Sequence, residues 1–202
     1  RGLGDVYKRQ DRNRIEYTNE NTLALFSHKT PIMTKYLISH KTDFLLEVET
    51  FNYSADLAIC LLKSSAFSIH EKSQIVSVLN LDTIKDNREL ATEICSLLTK
   101  VRIDLSENIL YTVLRISSNI NDRITVATYT IENEGDNIDL IENLLCQLPS
   151  PYADIAKHDQ KHPILENTDF NSRLLGVLKS VGYISTVSDT DKGLKVNKKM
   201  SW

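Results

Sequence analysis

The sequence predicts a mainly α-helical chain, an irregular α-solenoid of helix pairs ending in a winged-helix-like helix plus β-hairpin. Three observations predict it. A short phrase occurs twice, as Arg14-Ile15-Glu16-Tyr17-Thr18-Asn19-Glu20-Asn21-Thr22-Leu23 and as Arg102-Ile103-Asp104-Leu105-Ser106-Glu107-Asn108-Ile109-Leu110. Each copy runs basic, Ile, acidic, small polar, then Glu-Asn into an apolar stripe, which reads as the start of a capped helix used more than once. From about Asp11 to Leu148 the apolar residues keep helical spacing with little strand-like alternation. Beyond Pro149 and Pro151 the pattern changes to one amphipathic helix followed by two strand-like runs.

The elements follow in order. Residues 1–10, Arg1 to Gln10, share no pattern with the rest, lack an initiator Met and resemble a translated sequencing-adapter remnant; they are expected to pack against nothing. Residues 11–148 form the helical-repeat region. Thr18 or Asn19 in the first copy of the phrase and Ser106 in the second are candidate N-caps. Ser68-Ile69-His70-Glu71 is an S-x-x-E capping box. Leu90, Ile94, Leu97 and Leu98 mark one buried stripe, Ile109, Leu110, Val113 and Leu114 a second, and Ile138, Ile141, Leu144, Leu145 and Leu148 a third. Gly135-Asp136 combines a helix stop with the next N-cap. A second echo sets Leu61-Leu62-Lys63 and Ser68-Ile69-His70-Glu71-Lys72 against Val113-Leu114-Arg115 and Asn119-Ile120-Asn121-Asp122-Arg123. A helix pair that cannot bury its apolar face alone stacks on the next, so Leu97, Val113 and Leu144 are expected between helices. A globular all-helical domain is the alternative.

Residues 149–163 are read as a linker with a short helix, and residues 164–202 as the winged-helix-like unit. In that unit Asn167-Thr168-Asp169 opens a helix carrying Phe170, Leu174, Val177, Leu178 and Val181, and Gly182 closes it. Tyr183–Val187 and Leu194–Val196 are the predicted strands, around a turn over Ser188–Gly193.

Composition narrows the function classes. The 202 residues carry a formal net charge of −3 with pI near 6.0, which argues against nucleic-acid binding through bulk charge. Cys60, Cys95 and Cys146 lie far apart among helical apolar residues and read as reduced core thiols. No apolar run approaches the roughly 18 residues that span a bilayer. A cytoplasmic segment is expected.

Motifs for catalysis are scarce. There is no G-x-x-x-x-G-K-[ST] phosphate cradle and no G-x-S-x-G elbow. Asp189-x-Asp191-x-Gly193 lacks the further oxygen ligands of a calcium loop. His158 and His162 have zinc-compatible spacing without the intervening Glu or an evident third ligand. No catalytic, cofactor or metal residue is assigned. The residues suited to a nucleic-acid or protein partner are Asn171, Arg173 and Lys179 on the helix with Lys192, Lys195 and Lys198 on the wing, joined by Lys199. Glu166, Asp169, Asp189 and Asp191 offset most of that charge.

The tracts Leu148-Pro149-Ser150-Pro151-Tyr152-Ala153-Asp154-Ile155-Ala156, Pro163 to Leu175 and Leu178-Lys179-Ser180-Val181-Gly182-Tyr183-Ile184-Ser185 resemble the tail of the YobI-like P-loop NTPases. The Glu-Asn helix starts are similar to the repeats preceding that tail. The resemblance implies the C-terminal region of a large bacterial protein. Its ATP-binding Walker motifs, and in family members its membrane-spanning segments, would lie N-terminal of this region. It further implies no cofactor within this region, partners in its own NTPase domain and other proteins, and a regulatory role in stress or phage response.

Overall fold

The computed structural model describes residues 18–20, 22–23, 45, 52–135, 137–157 and 162–198. Residues 1–10, residues 14–17 and Asn21 of the first copy of the repeated phrase, Asp136, His158 and Lys199 lie outside them. Between Ser54 and Lys198 the described residues form helices α1 Ala55–Lys63, α2 Ile69–Ser77, α3 Leu81–Ile84, α4 Arg88–Leu98, α5 Glu107–Ile116, α6 Ile120–Glu134, α7 Ile138–Cys146, α8 Tyr152–Ala156 and α9 Asp169–Ser180. The strands are β1 Ile164–Leu165, β2 Ile184–Thr190 and β3 Gly193–Lys198. The chain is mainly helical, with a small antiparallel sheet near its C-terminal end.

Short polar side chains set where the helices begin. Ser54, Asn80, Asn87, Asn119, Asn137 and Thr168 each accept a hydrogen bond from a main-chain N–H of the first turn of α1, α3, α4, α6, α7 and α9. Such a bond satisfies a donor that has no partner inside the helix. The capping box on α2 is complete, with Ser68 Oγ accepting from Glu71 N at 3.3 Å and Glu71 Oε2 from Ser68 N at 2.7 Å. Ser106 occupies the N-cap position of α5 but makes no side-chain cap bond. In the first copy of the phrase the turn starts at Thr18, whose carbonyl accepts from Thr22 N, while the Asn19 amide bridges to Asn52 O and Ser54 N instead of capping. The cap of α7 is Asn137.

The apolar stripes meet in one contiguous core running from Tyr53 to Val196, except that Ile138 and Phe170, in the first turns of α7 and α9, stay exposed. Leu97, Val113 and Leu144 are all buried in it. Helix α4 packs against α1, α2, α3, α5 and α6, and α6 continues the contacts to α5, α7 and α9. These two helices therefore carry the packing from one end of the described chain to the other.

The C-terminal unit departs from the predicted pattern in two respects. Strand β1 was not anticipated: it is two residues long, and so short a run carries no alternation. It pairs antiparallel with β3 through Ile164 with Lys195 and Leu165 with Leu194, giving the order β1-β3-β2. The hairpin is also tighter than predicted. β2 extends to Thr190 and pairs with Gly193, leaving Asp191 and Lys192 as the turn. Thr190 Oγ1 holds this end by donating to Gly193 O at 2.7 Å. Upstream, Gly182 at φ +77° ends α9 as predicted, its N–H reaching Lys179 O and the N–H of Tyr183 reaching Leu178 O. That pair of bonds satisfies the last helical carbonyls.

Two glycines test the packing in opposite directions. A Cβ on Gly193 (φ +126°) would come within 2.3 Å of Leu165 O on β1. Gly193→Ala is expected to cost about 2 kcal/mol in urea denaturation through this clash and the left-handed φ. Gly176, within α9, has open space around its Cβ position. Gly176→Ala is expected to stabilise by about 0.5–1 kcal/mol by removing unfolded-state freedom, and no change in the urea midpoint would contradict that.

Candidate functional site

Among the described residues, polar clusters join the elements at several places, and a groove opens beside α6; three of the clusters bear on the expected contact residues or the core. The first centres on Arg123, which is 9% exposed in the first turns of α6. Its Nη2 donates to Gln147 O at 2.6 Å and its Nη1 to Ser117 O at 3.5 Å. Ser117 is the C-cap of α5 and Gln147 the C-cap of α7. Two negative helix ends thus face one guanidinium, which compensates its removal from water. Burial lowers the Arg123 pKa from its ordinary value. The Cys95 thiol, close by on α4, is pushed up to about 12, by burial first and then by the Asp122 carboxylate, against the opposing pull of Ser117 and Arg123. Nothing in the sequence reading singled out Arg123. The available signal was a cation near a helix start, where the helix's own dipole disfavours it.

The second cluster docks the sheet. Glu142 Oε1 on α7 accepts from Lys198 Nζ at 2.8 Å and from Tyr183 Oη at 3.1 Å. Lys198 Nζ also reaches Ala156 O at 3.2 Å and lies 4.8 Å from the centre of the Tyr183 ring. Burial raises the Tyr183 hydroxyl above its usual range, and the adjacent Glu142 carboxylate adds to that. The third cluster docks α9 on α6. Arg173 donates to Tyr129 Oη at 3.2 Å and pairs with Glu132 Oε2 at 3.3 Å, its guanidinium carbon 4.4 Å from the Tyr129 ring centre.

The six contact residues expected from the sequence therefore divide. Asn171 is 2% exposed, which corrects its placement on an outer face: its Nδ2 donates to Glu166 O and its Oδ1 accepts from Tyr152 Oη. Its carboxamide joins the short helix α8 to α9 because the helical period turns it inward beside Leu174, Leu175 and Leu178. Arg173 and Lys198 are engaged in the two docking clusters. Lys179 and Lys192 are exposed and Lys195 is half-buried. Asp189 and Asp191 are exposed, Asp189 within β2.

The groove of about 380 Å³ lies between α6 and the link joining α4 to α5. Leu98, Val101, Leu110 and Val126 supply its apolar lining, with Tyr129 and Asn133 as polar neighbours. Arg102 and Glu134, both exposed, approach to 3.7 Å at this groove. Such an exposed pair contributes little to stability. Among the described residues no three His, Cys, Asp or Glu side chains gather in a way that could hold a metal ion.

The expectation that all three cysteines are core thiols is corrected: Cys95 is buried, Cys60 half-buried and Cys146 exposed at the end of α7. The stripe of α7 faces inward through Leu140, Ile141, Leu144 and Leu145, which turns Cys146 outward. Iodoacetamide labelling followed by mass spectrometry is expected to modify Cys146 first and Cys95 only on unfolding, since thiolate character and access govern the rate. For Arg123, replacement by Ala is expected to cost about 3 kcal/mol, by leaving two helix-end carbonyls unpaired and a cavity behind. Arg123→Lys should recover part of that loss in urea denaturation, because one ammonium cannot reproduce the planar fork. A midpoint unchanged in Arg123→Ala would show that the guanidinium is not a structural link.

No protein-family model matches the chain, and no solved structure matches it. Among the described residues no helix is long and apolar enough to cross a membrane. The chain is 22% identical over 203 residues to the uncharacterized membrane protein YobI of Bacillus subtilis (strain 168), an alignment covering 98% of this chain and 17% of that relative.

Proposed function

We propose that this chain is a non-catalytic, helical-repeat regulatory and protein-interaction region of a larger protein of the YobI-like P-loop NTPase type. The single observation that carries the reading is the use made of its charged groups. Arg123, Arg173, Glu142 and Lys198 each join one element to another, so the polar chemistry of the described chain serves architecture. The alignment supports the same reading, because nearly all of this chain corresponds to a small share of YobI. Stacked, individually capped helices supply the solenoid-like part of the proposal. Nucleotide binding then belongs to sequence N-terminal of this region.

A second reading is favoured by topology. The sheet order β1-β3-β2, with β2 and β3 as a hairpin after α9, is one that winged units also use, and Lys179, Lys192 and Lys195 would be the residues to meet a phosphate backbone. Against it, a single helix stands between β1 and β2, and Asn171, Arg173 and Lys198 are already engaged.

Fluorescence anisotropy with duplex and single-stranded probes separates the two readings. The scaffold reading expects no binding even at low salt, whereas saturable binding that weakens steeply as salt rises would establish the winged-unit reading. The upstream reading frame provides the direct check. A Walker A motif is expected there, and an intact frame without one would overturn the NTPase assignment.

A further inference from the structure

The link between α4 and α5 carries the second copy of the repeated phrase, and its side chains alternate. Val101, Ile103 and Leu105 are partly buried against the core, whereas Arg102, Asp104 and Ser106 are exposed. This is the period of a β-strand. The main-chain N–H and C=O groups of Arg102 to Leu105 make no hydrogen bond among the described residues. The groove along this link leaves space beside it. An unpaired extended segment of this kind is a template for strand addition.

We propose that the link is a self-association site, at which a second copy of this chain pairs link against link, antiparallel about a two-fold axis through Ile103. Charge complementarity selects this occupant. In that register Arg102 faces the partner's Asp104, and Asp104 faces the partner's Arg102. On the inner face Val101 meets the partner's Leu105 across the pair of Ile103 side chains. The alternatives are worse. A slip of two residues in either direction brings Arg102 opposite the partner's Arg102 or Asp104 opposite the partner's Asp104. A slip of one mixes the apolar and charged faces. Parallel in-register pairing also sets like charges together. The competing intrachain pair of Arg102 with Glu134 is exposed on both sides and easily exchanged. One short strand pair is smaller than a standard stable interface, so the association is weak and depends on concentration. This inference does not rest on the scaffold reading.

Sedimentation equilibrium of the 202-residue chain over a wide concentration range tests it. The wild type is expected to show a reversible monomer–dimer equilibrium. Arg102→Asp or Asp104→Arg turns two symmetry-related attractions into repulsions and is expected to weaken association about tenfold, while the double swap R102D/D104R restores it. Circular dichroism should stay unchanged, because both side chains are exposed. A single variant that loses its helical signal is replaced by Asp104→Asn, which removes the attraction without adding repulsion. A chain that stays monomeric throughout, single variants that dimerise like the wild type, or a swap that restores nothing would each overturn the proposal.

Discussion

A buried guanidinium with no carboxylate within ion-pair distance among the described residues is held by the carbonyl ends of two helices, and the middle of the fold is organised around it. Arg123 stands near the start of α6, where the positive end of that helix repels it. The C-terminal ends of α5 and α7 reverse the balance, and they do so only if both helices finish at the same place in space. The arginine therefore fixes how α5, α6 and α7 meet. Cys95 of α4 and the Thr92 hydroxyl, which accepts from Ser118 N at 3.0 Å, complete the junction from the neighbouring helix. A hydrophobic contact at this place would accept many relative positions of the helices, whereas two hydrogen bonds from one planar group accept few.

The same economy explains how the C-terminal unit is attached. Its helix α9 buries Leu174, Leu175 and Leu178, and Arg173 adds a stacked, ion-paired contact with α6 at the edge of that packing. The sheet is held by Lys198, whose ammonium meets a carboxylate, a helix-end carbonyl and an aromatic face together. Basic residues that would suit an external phosphate are thereby occupied internally. Among the described residues of the unit, the exposed cations Lys179 and Lys192 are accompanied by the exposed carboxylates of Asp189 and Asp191.

Much of the local structure was legible in the sequence. Ser68 with Glu71, the opening of α9 at Thr168 and Gly182 after it are read correctly because capping depends on a few neighbouring residues. The buried stripes at Leu97, Val113 and Leu144 follow from helical period alone. The misses share a physical origin. Strand β1 exists because β3 lies beside it, the hairpin tip is tight because Thr190 bonds across to Gly193, and Asn171, turned inward by the helical period, is satisfied there because Tyr152 and Glu166 receive its carboxamide. Each depends on a partner distant in the chain or on a pairing that local propensity does not encode.

By itself, then, the sequence determined a mainly helical chain, the starts of several of its helices and many of the stripe residues that enter its core. These are set by interactions spanning three to seven residues, which local chemistry specifies. Only the tertiary structure decided what the charged residues do. Whether an arginine or lysine is a free contact or an internal link depends on which carbonyl, carboxylate or ring the fold brings to it. That proximity arises from packing across dozens of residues, as when Glu142 meets Lys198 and Arg173 meets Tyr129.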